Sequence, residues 1–296
     1  MPAEPTGSSA RRADRPPAPE PLPAAVTDTH CHLDIERWDH RDSTTGPDQT
    51  ADPAPALAAA AAVNVTHVVQ IGTDLSGSAW AAEAAKRFGN VVAGVALHPN
   101  EAPRLAARGE LDDSLAEIDR LAGSTDRIRA VGETGLDHFR TGLDGRTAQE
   151  ISFRAHVEMA RRHAKALVIH DRDAHDDVLR VLADSALPDR VVFHCFSGDA
   201  AMARYCADRG WFLSFAGTIT FKNAAGLRAA LAAAPLDQVL VETDAPYLTP
   251  HPYRGQVNAP YLIPLTVRTV ADVLGRDLAE TCRRLQENTF RAFGMW

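Results

Sequence analysis

Eight short apolar runs, separated by Ala/Leu/Arg/Glu-rich segments with helical spacing, predict an α/β chain closed as a (β/α)8 TIM barrel. The runs occupy residues 25–28, 67–71, 91–96, 128–132, 166–169, 191–193, 212–215 and 239–241. They are rich in Val, Ile and Phe, as suits the buried strands of a parallel sheet. An open doubly wound sheet is the rival architecture, but no Gly-x-Gly-x-x-Gly follows the first run. A third observation supports the barrel: His, Glu and Asp recur just past these runs, at the strand ends where barrel enzymes carry their chemistry.

Taken in order, residues 1–25 read as a disordered tail of Pro, Ala, Ser, Glu and Arg, too poor in large apolar groups to offset their ordering entropy. Arg11-Arg12 lacks the apolar stretch of an export signal. A single catalytic domain is expected over residues 26–296. The first run leads into Thr29-His30-Cys31-His32. Alternation along a strand puts His30 and His32 on one face and Cys31 on the other, and two imidazoles one pleat apart suit a single metal ion. Residues 37–55 read as a long polar loop, either near the site opening or a plain surface insertion. His98 ends the third run, as a contact to substrate phosphate or a hydrogen-bonded structural histidine.

Glu133 ends the fourth run, His170 the fifth and His194 the sixth, with Glu242 and Asp244 after the eighth. Between the runs, helices are expected at 78–88, 114–121, 149–163, 174–182, 200–208 and 224–233. Residues 261–274 and 278–293 read as closing helices packed on the barrel. His30, His32, Glu133, His170, His194 and Asp244 thus converge on one mouth as a binuclear metal constellation.

Residue types suggest roles. His30 and His32 would hold one ion, His170 and His194 the other, and Glu133, with two oxygens, would bridge them. None of the chain's three lysines lies at the end of the fourth run, so a bridging carbamate is not expected. Asp244 suits both metal binding and proton acceptance from the attacking water, whose pKa two cations would lower. Glu242 reads as a ligand to a third ion or as a partner of a ligand. Arg172 and Arg254 read as phosphate clamps or as loop salt bridges. Tyr247, Phe139 and Phe196 suit base stacking or packing around the mouth. His40, His67, His156, His163, His175 and His251 read as surface or core residues.

The bulk properties agree with an ordinary soluble enzyme: 296 residues, 45% apolar and 24% charged. No apolar run approaches the roughly 20 residues of a membrane span, so no membrane association is expected. A net charge of −8 gives no bulk attraction to nucleic acid, so such a substrate would need a local basic rim and bound cations. Four cysteines without Cys-x-x-Cys spacing suggest reduced thiols in a cytoplasmic protein.

The motifs resemble the TatD-type metal-dependent DNases, a branch of the amidohydrolase-like barrels. The likeness is carried by His30-Cys31-His32-Leu33-Asp34, Gly132-Glu133-Thr134-Gly135-Leu136-Asp137, Ile169-His170-Asp171-Arg172, Phe193-His194-Cys195-Phe196-Ser197-Gly198 and Glu242-Thr243-Asp244-Ala245-Pro246-Tyr247. Pro252-Tyr253-Arg254-Gly255, Asn258-Ala259-Pro260 and Asn288 continue it. The resemblance implies hydrolysis of DNA phosphodiester bonds, typically trimming single strands from the 3′ end, with Glu133 and Asp244 as carboxylate ligands and Asp244 as proton acceptor. It also implies activity with Mg or Mn, while imidazole-rich sites also suit Zn, Ni or Fe. A monomer is expected. The alternatives within the same ligand pattern are a D-aminoacyl-tRNA deacylase, a small-molecule amidohydrolase or a phosphotriesterase. The chain departs from the family pattern at His98-Pro99-Asn100, where His-Pro-His is common, and at His138-Phe139, where two tyrosines are common. It departs again at Asp171, where Ser is common.

Overall fold

Eight parallel strands follow one another around the sheet in chain order. They are β1 Val26–Cys31, β2 Val65–Ile71, β3 Val91–Val95, β4 Ile128–Asp137, β5 Ala166–Arg172, β6 Val191–Phe193, β7 Phe212–Phe215 and β8 Val239–Val241. The computed structural model describes residues 15–35 and 52–296. The seam between β1 and β8 is closed just beyond β8: Asp244 N donates to His30 O at 2.9 Å and His32 N to Ala245 O at 2.8 Å. The barrel expected from the alternating runs is therefore the observed fold.

Among the described residues, ten helices fall between and after the strands: α1 Ala54–Ala61, α2 Leu75–Arg87, α3 Glu101–Arg108, α4 Leu111–Ala122, α5 Leu143–Arg162, α6 His175–Ala183, α7 Ala200–Ala207, α8 Ala225–Ala233, α9 Ile263–Leu274 and α10 Leu278–Phe293. Sequence spacing misses α1 and α3. The first is nearly all alanine, with no polar face to set a period, and the second is only two turns long.

The strands are buried on both faces, as their composition dictates. Outward residues such as Val91, Leu167, Phe193 and Phe215 join the large core with the helices. Inward residues Val69, Ile71, Val92, Val168, Phe212 and Leu240 fill the barrel interior, and Phe293 at the end of α10 packs with them. Asn288 fixes α10 there, its amide donating to Leu236 O at 2.7 Å and Val239 O at 2.8 Å.

The expected tail needs a corrected boundary. Residues 1–14 lie outside the described residues, but the chain from residue 15 already lies against the barrel. Leu22 is buried and its amide donates to Val63 O at 3.2 Å. Arg268 donates to Glu20 O and Pro21 O, and Tyr261 Oη to Pro16 O at 2.5 Å. A proline-rich segment has few backbone N–H groups but keeps all its carbonyls, and side chains of α9 and its approach donate to them. Most of the expected loop at 37–55 lies outside the described residues, and its end, from Ala54, begins α1.

Candidate metal centre

Glu133 sits at the middle of the mouth, and the backbone of β4 explains how it gets there. Gly132 and Gly135 flank it with φ of +156° and +136°. A Cβ on Gly135 would meet His170 O at 2.1 Å, and one on Gly132 would meet Val168 Cβ at 2.5 Å. Only glycine permits that approach of β4 to β5.

The Glu133 oxygens divide the surrounding imidazoles. Oε1 lies 3.6 Å from His30 Nε2 and 3.4 Å from His32 Nε2. Oε2 lies 2.9 Å from His194 Nε2, 3.1 Å from His170 Nδ1 and 3.7 Å from His98 Nε2. Asp244 Oδ1 approaches the first side, 3.8 Å from His30 Nε2 and 3.4 Å from His32 Nε2. The six residues expected to converge do lie together. Their donor atoms form the triads His30/His32/Asp244 and His30/Glu133/His194, with a third triad in His98/Glu133/His170. His30 belongs to two of these triads.

Most of the rings are held from behind. His32 Nδ1 donates to Ile71 O at 2.9 Å, which leaves the Nε2 lone pair facing the mouth. His194 Nδ1 lies 3.2 Å from Glu242 Oε1, and His170 Nε2 lies 3.4 Å from Asp137 Oδ2. His30 differs: it is completely buried, and neither ring nitrogen has a hydrogen-bond partner among the described residues. A buried imidazole without partners is costly, and a cation at Nε2 would relieve it.

The electrostatics differ from ring to ring. Burial drops His30 to about 4. Burial also opposes charge on His32, yet Asp244 and Glu133 outweigh it and raise His32 to about 9. Glu133 is raised by burial, but His194, His98 and His170 hold it well below the usual carboxylate range. A cluster that attracts protons in this way also attracts metal cations, which displace them. The donor set and the orphaned His30 thus fit divalent metal.

His98 is turned differently. Its Nδ1 accepts the Asn100 amide at 3.0 Å, so the neutral ring carries its proton on Nε2, toward Glu133. Burial holds it neutral, near 3. Glu242 is fully buried behind His194, its Oε1 also accepting from the Cys195 amide at 2.8 Å, and it belongs to no candidate triad among the described residues. Arg172 and Arg254 sit on the exposed rim over the rings of Phe139 and Phe221, at 4.0 Å and 4.7 Å from the centroids.

Sequence reasoning missed the residues that hold these groups in place. Asp28 accepts from Thr243 N at 2.9 Å and Thr243 Oγ1 at 2.5 Å, tying β1 to the turn that carries Asp244. Burial lifts its carboxyl to about 7 against those donors. Gln70 joins Leu33 N to Asp34 Oδ1, both at 2.7 Å. These residues touch the ligand-bearing turns and not the mouth, and only a polar residue on a buried strand could have signalled them.

Histidines and carboxylates gathered at the C-terminal strand ends of a parallel barrel define a metal-dependent hydrolase. The chain belongs to the family described as TatD related DNase, whose model matches residues 27–294. It is 43% identical over 274 residues to the uncharacterized metal-dependent hydrolase TatD of Mycobacterium tuberculosis, covering 91% of this chain and 98% of that one. It is 33% identical over 271 residues to the uncharacterized metal-dependent hydrolase YcfH of Escherichia coli K12, covering 90% and 95%. Among solved structures, the TatD homologue YjjV of Escherichia coli K12 superposes with a TM-score of 0.80 at 26% identity, covering 92% of this chain and 98% of that one. No helix among the described residues is long and apolar enough to cross a membrane.

Proposed function

We propose that this chain is a divalent-metal-dependent deoxyribonuclease that hydrolyses DNA phosphodiester bonds, acting as a 3′-5′ exonuclease on single strands. The carrying observation is the division of Glu133: one oxygen faces His30 and His32, the other His170 and His194. That arrangement suits a bridging carboxylate between two cations. His30, His32, Glu133, His170, His194 and Asp244 would hold them.

Divalent ions held by these residues would lower the pKa of a water and offset negative charge as the bond is exchanged. Asp244 would take the proton from the attacking water as the water oxygen bonds to phosphorus and the P–O bond to the leaving oxygen breaks, that oxygen taking up a proton from solvent. His98, a neutral ring with its proton on Nε2, donates a hydrogen bond to a phosphate oxygen. Glu242 and Asp137 hold His194 and His170 in the tautomers that aim a lone pair at the mouth. The four unpaired cysteines suit a cytoplasmic location.

The test uses metal-stripped protein with end-labelled single-stranded and duplex DNA, Mg, Mn or Zn being restored separately. The expected result is stepwise shortening that requires metal and is lost in Asp244→Ala. Binding of metal without cleavage of DNA under any ion would overturn the nuclease reading.

A further inference from the structure

Several helix-surface arginines of this chain are paired with carboxylates, as in Arg104–Glu101, Arg120–Glu117 and Arg161–Glu158. Two arginines at and beyond the strand ends are not. Arg172 and Arg254 have no carboxylate partner among the described residues, and each lies instead over an aromatic face. Arg172 is the second residue after the fifth strand's histidine and lies on the exposed rim. Arg254 lies beyond the eighth strand. The two pairs therefore stand on different sides of the same mouth, one built from the β4 and β5 ends, the other from the segments after β7 and β8.

The rings are placed for a second use. Phe139 is 62% exposed, an unusual position for a large apolar side chain. Arg172 covers one of its faces, so the other is open. Phe221 lines a groove of about 380 Å³ between the loops after β6 and β7, walled by Ser197, Gly198, Thr218 and Asn223. That is within the range of ligand pockets, about 300–1,000 Å³. The groove begins three residues beyond His194, and Asp199 at its edge is engaged in capping α7 through Ala201 N and Met202 N. Unpaired cations over aromatic rings, beside a groove, in a protein of net charge −8, match a ligand with anionic links and flat apolar groups.

We propose that Arg172–Phe139 and Arg254–Phe221 are two contact points for an unpaired nucleic-acid strand laid across the mouth, with the groove beside Phe221 seating one nucleotide. Each guanidinium takes a phosphate and each ring stacks a base. A duplex keeps its bases stacked on one another and offers neither ring a face, so these pairs select single strands. The proposal rests on the nuclease reading above and adds the residues that set its strand preference.

The test measures binding of a 5′-fluorescein oligothymidylate, and of a hairpin duplex of equal length, to metal-loaded full-length Asp244→Asn protein, in which turnover is blocked. Phe139→Leu and Phe221→Leu should each weaken single-strand binding by roughly tenfold, the size of one base–aromatic stack, with less than twofold change for the hairpin. Phe139→Tyr should restore it. Arg172→Gln and Arg254→Gln should each reduce the log–log salt slope by about 0.7, one phosphate contact on a single strand. Arg209→Gln, which removes a guanidinium stacked at 3.4 Å on Tyr205 beside Trp211 at the opposite end of β7, should match the parent. Equal binding by parent and Phe variants, or equal losses on single strand and hairpin, would overturn the proposal while leaving the nuclease reading intact. A parent protein that neither binds nor cleaves DNA would overturn both.

Discussion

Glu242 stands directly behind His194, its Oε1 3.2 Å from the ring Nδ1 and 2.8 Å from the Cys195 amide. This geometry makes the glutamate a positioning group. It fixes the proton on Nδ1 and leaves Nε2 as a lone pair. Replacing Glu242 with Gln should weaken metal affinity by about 10- to 100-fold, the usual cost of losing such a partner. Isothermal titration of stripped protein with Mn or Zn checks this. Unchanged affinity would show that His194 does not depend on it.

Glu133 and Asp244 should separate fold from function. Glu133→Gln and Asp244→Asn should keep the thermal transition of the parent within a few degrees under metal-free conditions. Asp244→Asn should lower kcat by about 10²- to 10⁴-fold, the range of a lost general base. Glu133→Gln should in addition reduce metal content, read by elemental analysis of dialysed protein, because in the proposed site both cations would share that carboxylate. Full activity in either variant would remove it from the chemistry.

Metal uptake should release protons. In the metal-free protein, Asp244 and Glu133 hold His32 at about 9, so the ring is protonated at pH 7. A cation must displace that proton. Apparent affinity should therefore rise with pH and level off near 9, and adding metal at pH 7 in weak buffer should acidify the solution. Saturation at a hundred times Kd should stabilise the fold by about 2.7 kcal/mol, seen as a raised melting temperature. Affinity independent of pH between 7 and 9 would contradict His32 as a ligand.

His156 gives a pH effect remote from the metal. It is fully buried in α5, donates from Nδ1 to Ser152 O at 2.7 Å and accepts the Leu97 amide on Nε2 at 3.1 Å. Burial lowers it from 6.5 to about 4. Because the folded value lies below the unfolded one, its contribution is fully present above pH 6.5 and lost as pH falls through 4. The span corresponds to up to about 3 kcal/mol. His156→Phe leaves the Leu97 amide without its acceptor and should cost about 1–3 kcal/mol at pH 8. Guanidinium unfolding of both proteins should show that gap narrowing between pH 6.5 and 4. A constant gap would mean that the ring does not titrate with folding.

The barrel was legible in the chain because strand burial leaves a local signature. Val91–Val95 is apolar throughout and Phe212–Phe215 in all but Ser214, and a run of that composition between two helical segments admits few other readings. The candidate ligands were legible for a related reason. Chemistry in a barrel sits where strands end, so His30, His170 and His194 each announce themselves by position. Even the same-face argument for His30 and His32 follows from local geometry. Both rings approach Glu133 and Asp244, while Cys31 is buried in the core between strands and helices.

What tertiary structure decided is everything that depends on residues far apart in the chain. Asp28 and Thr243 are 215 positions apart, yet their hydrogen bonds set where Asp244 points. Glu242 meets His194 because β6 and β8 converge, which no run of sequence expresses. Residues 15–25 looked too polar to pack, and pack because α9 and its approach supply the donors their carbonyls need. A sequence fixes which groups are available and the period at which they recur. Only closure of the barrel brings their lone pairs and protons to hydrogen-bonding distance, and at that distance their roles diverge.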